Sequence, residues 1–330
     1  MKNYKVVGIG NAVVDVITQS DDSFLANMGI EKGIMQLIEK DRAKVLYGSM
    51  SDRTQAAGGS VANSIAGIGS LGLRTAFVGR VSDDALGKFY AKAMTDEGTV
   101  FVNDPVAGGE LPTSRSMIFV SPDGERSMNT YLGISAELGP EDVSADVGAD
   151  AEIVFLEGYL FDKEKGKEAF VKLARACRAT GGKAGIAISD PFCVERHRAD
   201  FLNLIENELD YVIGNEEEVK SLFETDDLDE AITKLSAICP LAVCTRSGDG
   251  VSIMSGGARI DVPVKKVVPV DATGAGDQFA AGFLYGLATE RDLETCGKMG
   301  CICAGEVIGH VGPRPKANIA AMFRDAGLLA

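Results

Sequence analysis

The sequence predicts an α/β fold built on a mostly parallel sheet, and three observations carry that prediction. From residue 153 onward short β-branched runs alternate with longer amphipathic stretches, the pattern that right-handed crossovers from strand to helix to strand produce. No internal repeat, low-complexity tract or Pro-rich linker divides the 330 residues, so residues 1–330 are expected to form one domain. Two segments, near 17–40 and 100–130, break the alternation and predict a few strands set apart from the main sheet as a small β lid.

The elements follow in chain order. Residues 5–10 (KVVGIG) and 12–17 (AVVDVI) predict a buried opening strand whose end carries Asn11 and Asp15. From Gly58 the run GGSVANSIAGIGSLG supplies a Gly-Gly turn, Ser60 as an N-cap, and Val61, Ile65 and Ile68 on one helical face. RTAFVGRVSDDALGKF then predicts strand, loop and helix. Residues 114–120 and 127–132 flank Pro122-Asp123-Gly124 and predict a β-hairpin, because this tripeptide sets a turn. Beyond it come strand 153–156, helix 163–180, strand 184–189, helix 197–208, strand 211–213, helix 216–223, and strands 241–244 and 251–254.

Composition narrows the function. Hydrophobic residues at 45% and charged residues at 25% match a soluble globular chain. A net charge of −15 provides no diffuse positive field for nucleic acid or an anionic membrane, so a polyanionic ligand must be held by local devices. The seven cysteines include no Cys-x-x-Cys pair, which predicts reduced, buried thiols, and with only two histidines a structural zinc site lacks ligands. The apolar stretch after Lys5 is interrupted by Asp15 and is too short for a signal-peptide core or a membrane span, so the expected compartment is the cytoplasm.

The chemistry concentrates in 271–287, DATGAGDQFAAGFLYGL. Phe279, Phe283, Gly286 and Leu287 share a helical face, so a helix starts near Gly274 and puts Gly274, Ala275 and Gly276 where backbone N–H groups are unpaired. Such a turn binds phosphate without Lys or Arg. Asp277 repels a phosphate there unless it has a task, and accepting the proton of an attacking hydroxyl is one. The same residues also suit an ordinary Gly-rich N-cap turn with Asp277 favouring the helix dipole. No G-x-x-x-x-G-K-[ST] occurs, and Gly8-Ile9-Gly10 is followed by Val13 where a dinucleotide fingerprint needs Gly.

The pair GGSVANSIAGIGSLG at 58–72 and DATGAGDQFAAGFLYG at 271–286 resembles the PfkB-type carbohydrate kinase (ribokinase-like) family, with likeness extending to Gly312-Pro313-Arg314-Pro315. Ala272 departs from the family's usual Thr, Val or Pro. The resemblance implies a three-layer α/β/α sandwich with a small β lid and an ATP-dependent kinase. It makes Asp277 the catalytic base and the N–H groups of Ala275, Gly276 and Asp277 the anion hole. Asn215 and Glu218 match an Asn-x-x-Glu element that organises Mg²⁺, with Glu218 acting through water; an acidic run is also simply a solvated helix start. Thr245, Arg246 and Gly248 resemble the element along the ATP phosphates and ribose, although Arg246 also suits a plain surface charge, and Ala304 lies in the segment flanking adenine. Asp271 and Thr273 fall where many members bind a monovalent cation such as K⁺.

For the acceptor, Asn11, Asp15, Gly58, Gly59 and Asn63 match the family's sugar-holding positions, and a buried acid such as Asp15 needs donors, from sugar hydroxyls or from backbone. FLANMGIEKGIMQLIE looks like the adenosine-kinase branch, implying that Gln36 and Ile38 touch the base. GERSMNTYLG implies Arg126 near the phosphates and Met128 and Leu132 against the base, although both apolar residues also suit a core. Phe192 matches an aromatic that stacks on a purine, while Glu157 and Asp190 put acids near the base pocket. The expected reaction is phosphorylation of a ribonucleoside hydroxymethyl group, adenosine first, by ATP. A sugar kinase acting on ribose, fructose or a keto-deoxy sugar acid is the alternative, and a non-catalytic nucleoside- or nucleotide-binding protein a further one. Small molecules are the expected partners, with no nucleic acid or membrane, and the chain is expected to be a monomer or a homodimer joined through its lid.

Overall fold

The computed structural model describes residues 2–329. The strands are β1 (Tyr4–Ile9), β2 (Val13–Gln19), β3 (Met35–Leu37), β4 (Thr54–Gly58), β5 (Thr75–Val78), β6 (Thr99–Phe101) and β7 (Ser114–Val120). They continue with β8 (Arg126–Tyr131), β9 (Ala151–Glu157), β10 (Lys183–Ala187), β11 (Tyr211–Asn215), β12 (Leu241–Thr245), β13 (Val251–Ser255) and β14 (Ala258–Val262). Nine of them form one sheet in the order β14-β13-β12-β11-β10-β9-β1-β5-β6, parallel from β12 to β6, with β13 and β14 added as an antiparallel hairpin.

Alternation along these buried strands fills two layers. Val6, Phe155, Tyr211 and Val243 pack with Ile65, Phe279 and Phe283 on one face. Their neighbours Val7, Leu156, Val212 and Ala242 pack with Phe170, Phe201 and Ile232 on the other. Helices on both faces thus bury the central strands β1, β5, β9, β11 and β12, which is why these are mostly apolar, whereas the edge strand β14 is largely exposed. The sequence's expectation of an α/β fold with a mostly parallel sheet matches this architecture.

The other five strands form a second sheet, β3-β8-β7-β2-β4. The expected opening strand is therefore two: β1 ends at Ile9, and after Gly10–Ala12 the chain enters β2 in the other sheet. Asp15 lies within β2 and not at the end of β1. Residues 54–58 join this second sheet although they lie outside the 17–40 and 100–130 segments, while Thr99–Phe101 edges the main one. The face opposite Asp15 is covered by helices Asp22–Asn27 and Lys40–Ser49, whose Leu25, Ala43 and Leu46 pack with Val14, Val16, Met117 and Phe119.

Most expected helices occur within a few residues of their predicted ends. Helix Pro191–Glu208 begins earlier than 197 because the Asp190 carboxylate accepts from Cys193 N–H at 2.8 Å and caps it, with a break at His197. Helices Leu228–Ile238 and Leu293–Val307 had no counterpart in the sequence reading. All seven cysteines are free and six are buried. Among the described residues no helix is long and apolar enough to cross a membrane.

Helix Ser60–Ser70 lies on β1 where Gly8 leaves room; a Cβ there would come within 2.8 Å of Val61. Gly8→Val should therefore cost about 1–3 kcal/mol through overpacking. Urea unfolding checks this, and an unchanged unfolding midpoint would contradict the packing argument.

Candidate active site

The site forms where the C-terminal ends of β9 to β12 meet the starts of helices Ser60–Ser70 and Ala275–Ala288. Gly274 caps the second helix in a left-handed conformation (φ 80°), and a Cβ there would meet Pro313 at 2.6 Å. Ala275 N–H already donates to Ala272 C=O at 3.2 Å, so the expected trio of anion donors is reduced in this conformation. Gly276 and Asp277 keep the free N–H groups of a helix start. Gly276 is exposed, and a Cβ on it would meet nothing, so local packing does not require glycine there.

Asp277 sits between the two helices. Its Oδ1 accepts from Ser60 Oγ at 2.7 Å, its Oδ2 from Asn63 Nδ2 at 3.0 Å, and its backbone C=O from Ser64 Oγ at 2.9 Å. Ser60 is thus in the first turn of its helix and not the N-cap, which is Gly59. Burial pushes the Asp277 carboxyl up to about 6, against the pull of the Asn63 and Ser60 hydrogen bonds and of Arg314. A base near that range is matched to proton transfer close to neutral pH.

Asp15 is lifted to about 6 by burial and by the charge of Asp277, with Arg126 and Arg314 pulling the other way. No hydrogen bond among the described residues holds it. Gly58 faces it closely enough that a Cβ would lie 2.7 Å from Oδ2. Gly59, at φ 99°, leaves space beside the Asn11 carbonyl. An acid with open acceptors and glycines clearing its surroundings suits a ligand bearing hydroxyls.

Asn11 is held differently. Its backbone N–H and its side-chain amide both donate to Glu157 Oε1 at 2.9 Å, and Ser135 Oγ donates to its Oδ1 at 3.0 Å. Glu157 Oε2 accepts from Val61 N–H at 3.0 Å, and the residue is 1% exposed. The acid expected to bear on the base pocket is instead spent on the scaffold. One buried carboxylate ties the link between the sheets to the start of helix Ser60–Ser70.

Asn215 and Glu218 form a reciprocal cap at the end of β11. The Asn215 side chain accepts from Glu218 N–H at 2.9 Å, and Glu218 accepts from Asn215 N–H at 2.9 Å and Nδ2 at 2.6 Å. Glu218 lines a pocket with Ser60, Ser64, Ser189, Asn215, Thr245, Gly276 and Asp277. Its carboxyl rises to about 7 through burial, reinforced by Asp190 and Asp277. Arg246 bonds instead to the Asp249 carbonyl at 3.2 Å and to Asp261 of β14 at 3.4 Å, so its side chain supports the hairpin. Gly248 is open on its flank, with only Lys266 at 3.9 Å, and Ala304 lies half-buried on helix Leu293–Val307.

Arg126 pairs with Asp271 at 2.7 Å, both side chains under a tenth exposed, while its Nε and Nη2 are buried without partners among the described residues. Two orphaned donors on a buried cation suit an anion brought to this point. Asp271 also accepts from Thr273 N–H at 2.9 Å and Gly312 N–H at 3.0 Å, and these bonds hold its carboxyl near 2 against burial. Both of its oxygens are engaged, so a monovalent cation at Asp271 and Thr273 would depend on backbone carbonyls.

Strand register divides the residues expected at the base between two faces of the second sheet. Strand register places Met35, Leu37 and Met128 on the sheet face of Asp15, whereas Gln36 aligns with Asn129 on the opposite face and donates to it at 3.2 Å. A two-residue period makes any slip of one a change of face. Ile38, next to Leu37, is partly buried in the core. Leu132 follows β8 half-buried, and Phe192 stands 71% exposed at the start of helix Pro191–Glu208. Met35 and Leu37 are likewise exposed, at 44% and 55%. Arg314, which reaches Asn63, is the further site residue that the sequence left unassigned, although the motif Gly312-Pro313-Arg314-Pro315 marked its segment.

A helix start with free N–H groups and a carboxylate at its edge suits phosphoryl transfer, in which positioning and charge stabilisation do most of the work. The chain belongs to the pfkB family of carbohydrate kinases, whose model matches residues 30–319, and it is a phosphotransferase of that family. Adenosine kinase from Sinorhizobium meliloti is similar at 46% identity and a TM-score of 0.90, over 98% of this chain and 99% of that one. A probable sugar kinase from Rhizobium etli CFN 42 is 44% identical with a TM-score of 0.91, over the whole of both chains. Adenosine kinase 2 of Arabidopsis thaliana is 26% identical over 338 residues, 93% of this chain and 94% of that protein.

Four raised carboxyls in one site give a pH signature. Glu157 and Glu218 titrate near 7 in the fold against 4.5 when free, so between those values the folded chain keeps protons that the unfolded chain has lost. Stability of the ligand-free protein should fall as pH rises from about 4.5 to about 7 and level off above. Asp271 and Asp123, near 2, act below this window. Thermal unfolding across the range checks the sign; Glu218→Gln should flatten the slope, and stability rising through the window would refute the assignment.

Proposed function

We propose that the chain transfers the γ-phosphoryl group of ATP to the hydroxymethyl group of a ribonucleoside, with the adenosine 5′-OH as acceptor. The observation that carries this reading is the shared face of the second sheet: the open Asp15 carboxylate for sugar hydroxyls, and Met35, Leu37 and Met128 beyond it as an apolar surface for a base. Phe192, exposed at the start of helix Pro191–Glu208, offers an aromatic face. The similarity to an adenosine kinase at 46% identity supports it. Asp15 beside Asp277, with no polar group assigned to a base, favours a second reading as a sugar kinase, and the similar probable sugar kinase supports that one.

Asp277 takes the proton of the acceptor hydroxyl as its oxygen forms a bond to the γ-phosphorus. The bond from that phosphorus to the bridging oxygen breaks, and ADP leaves with the electron pair. The N–H groups of Gly276 and Asp277 and the free nitrogens of Arg126 meet the charge on the transferring group. For Mg²⁺ the site fits: burial and the charges of Asp190 and Asp277 raise the proton affinity of the pocket-lining Glu218, and a cation beside it would relieve this. Glu218, already bonded to Asn215, would hold it through water, where it neutralises phosphate charge. The helices covering the far face of the second sheet support a monomer over a homodimer joined through that sheet.

The decisive assay is ADP release from ATP and Mg²⁺ with adenosine, inosine, cytidine, ribose, fructose and 2-keto-3-deoxygluconate. Turnover confined to adenosine is expected, and turnover only with a free sugar selects the second reading. Asp277→Asn should lower kcat by about 10²–10⁴-fold with little change in KM, and retained turnover would refute the base. Gly276→Ala should leave or slightly raise thermal stability, since Ala favours a helix by up to about 1 kcal/mol over Gly. It should nevertheless raise the KM for ATP, because the methyl enters the space kept for phosphate; an unchanged KM would remove Gly276 from the anion site.

A further inference from the structure

Arg314 lies outside both long motifs, yet its contacts lead to the catalytic carboxylate. Its Nε donates to Asn63 Oδ1 at 3.1 Å, its Nη1 pairs with Glu97, and its side chain is 16% exposed. Asn63 in turn donates from Nδ2 to Asp277 Oδ2 at 3.0 Å. A guanidinium has donors and no acceptor, so the Asn63 atom facing Arg314 is its oxygen and the atom facing Asp277 is its nitrogen. The neighbours of Arg314 brace the same turn. Gly312 N–H donates to Asp271 at 3.0 Å, and the Pro313 carbonyl accepts from Gln278 Nε2 at 3.1 Å while its ring lies against Gly274.

We propose that Arg314 is a positioning residue for phosphoryl transfer: it fixes the Asn63 amide in the one orientation that donates to Asp277, and Glu97 anchors it there. This rests on the reading of Asp277 as the base. Without Arg314 the amide is free to turn, and the turned form sets a carbonyl oxygen against a carboxylate. Asp277 then loses both a donor and the positive charge that now partly offsets its burial. The other charged or titratable groups bearing on Asp277 are Asp15 on β2, Glu157 at the end of β9, Tyr159 just beyond it and Glu218 after β11. The acids among them repel its anionic form and leave Arg314 the cation that counters them.

The test compares Arg314→Gln, Arg314→Lys and Glu97→Gln with the parent chain in kcat, KM, the pH profile of kcat/KM and thermal unfolding. Arg314→Gln should lower kcat by about ten- to a hundredfold through misplacement of the reacting groups. It should change the KM for ATP little and move the acidic limb of the profile to higher pH. Arg314→Lys should return the limb toward its parent position while recovering only part of kcat, because it keeps the charge without the planar fork. Glu97→Gln, at a half-exposed anchor, keeps the test open if Arg314→Gln fails to fold, and should lower kcat with the fold intact. A limb that stays in place in the folded variants, or activity lost only in step with thermal stability, overturns the proposal. Retained turnover in Asp277→Asn would instead overturn the base reading beneath it.

Discussion

Everything at the candidate site depends on two helix starts meeting at one carboxylate. Ser60 and Asn63 from helix Ser60–Ser70 both donate to Asp277 on helix Ala275–Ala288, so the acid is positioned across more than two hundred residues of chain by two hydrogen bonds. The helices can approach because small residues face each other. Gly67 packs on Gln278 and Ala281, and Gly282 and Gly286 let helix Leu293–Val307 close in behind. A bulkier contact in either layer would separate donor from acceptor before it disturbed any residue that touches a substrate. The packing of the core and the geometry of proton transfer are thus one problem.

Burial sets the electrostatics. Asp15, Asp277, Glu157 and Glu218 converge where four strands end, and each carboxyl is pushed upward by loss of water. Two of them are satisfied within the chain, Glu157 by three N–H donors and Glu218 by Asn215. Asp15 and Asp277 keep capacity for something else, and they lie on facing elements. The fixed acids build the frame, while Asp15 has no hydrogen bond among the described residues and Asp277 faces the pocket.

The sequence carried the parallel sheet and the helix at Gly274 with Asp277 in its first turn, because each is written in short-range pattern: β-branched runs, a 3.6-residue period, glycines at a turn; Asp15 and Asn63 were singled out through the family resemblance. It did not carry the change of sheet at Gly10–Ala12, since KVVGIG and AVVDVI are equally strand-like and only tertiary pairing separates them. Nor did it carry the face of β3, where Met35, Gln36 and Leu37 differ by a single step of the pleat. The tasks of Glu157 and Arg314 were hidden for another reason: their partners lie far along the chain, and a buried acid or an exposed-looking arginine in sequence bears no mark of them.

Glu157 gives the molecule the mechanics of a pin joint. The same carboxylate grips Asn11, where the chain leaves the main sheet, and Val61, where it returns from β4, so two crossings share one fixed point. Rotation of the second sheet about that pin displaces each strand in proportion to its lever arm. Asp15, on β2 beside the pin, has a short arm, whereas β3 lies three strands farther out, about 14 Å at the usual spacing. The second sheet is therefore stiff at Asp15 and compliant at Met35 and Leu37, so the outer strand can change without recalibrating the inner one.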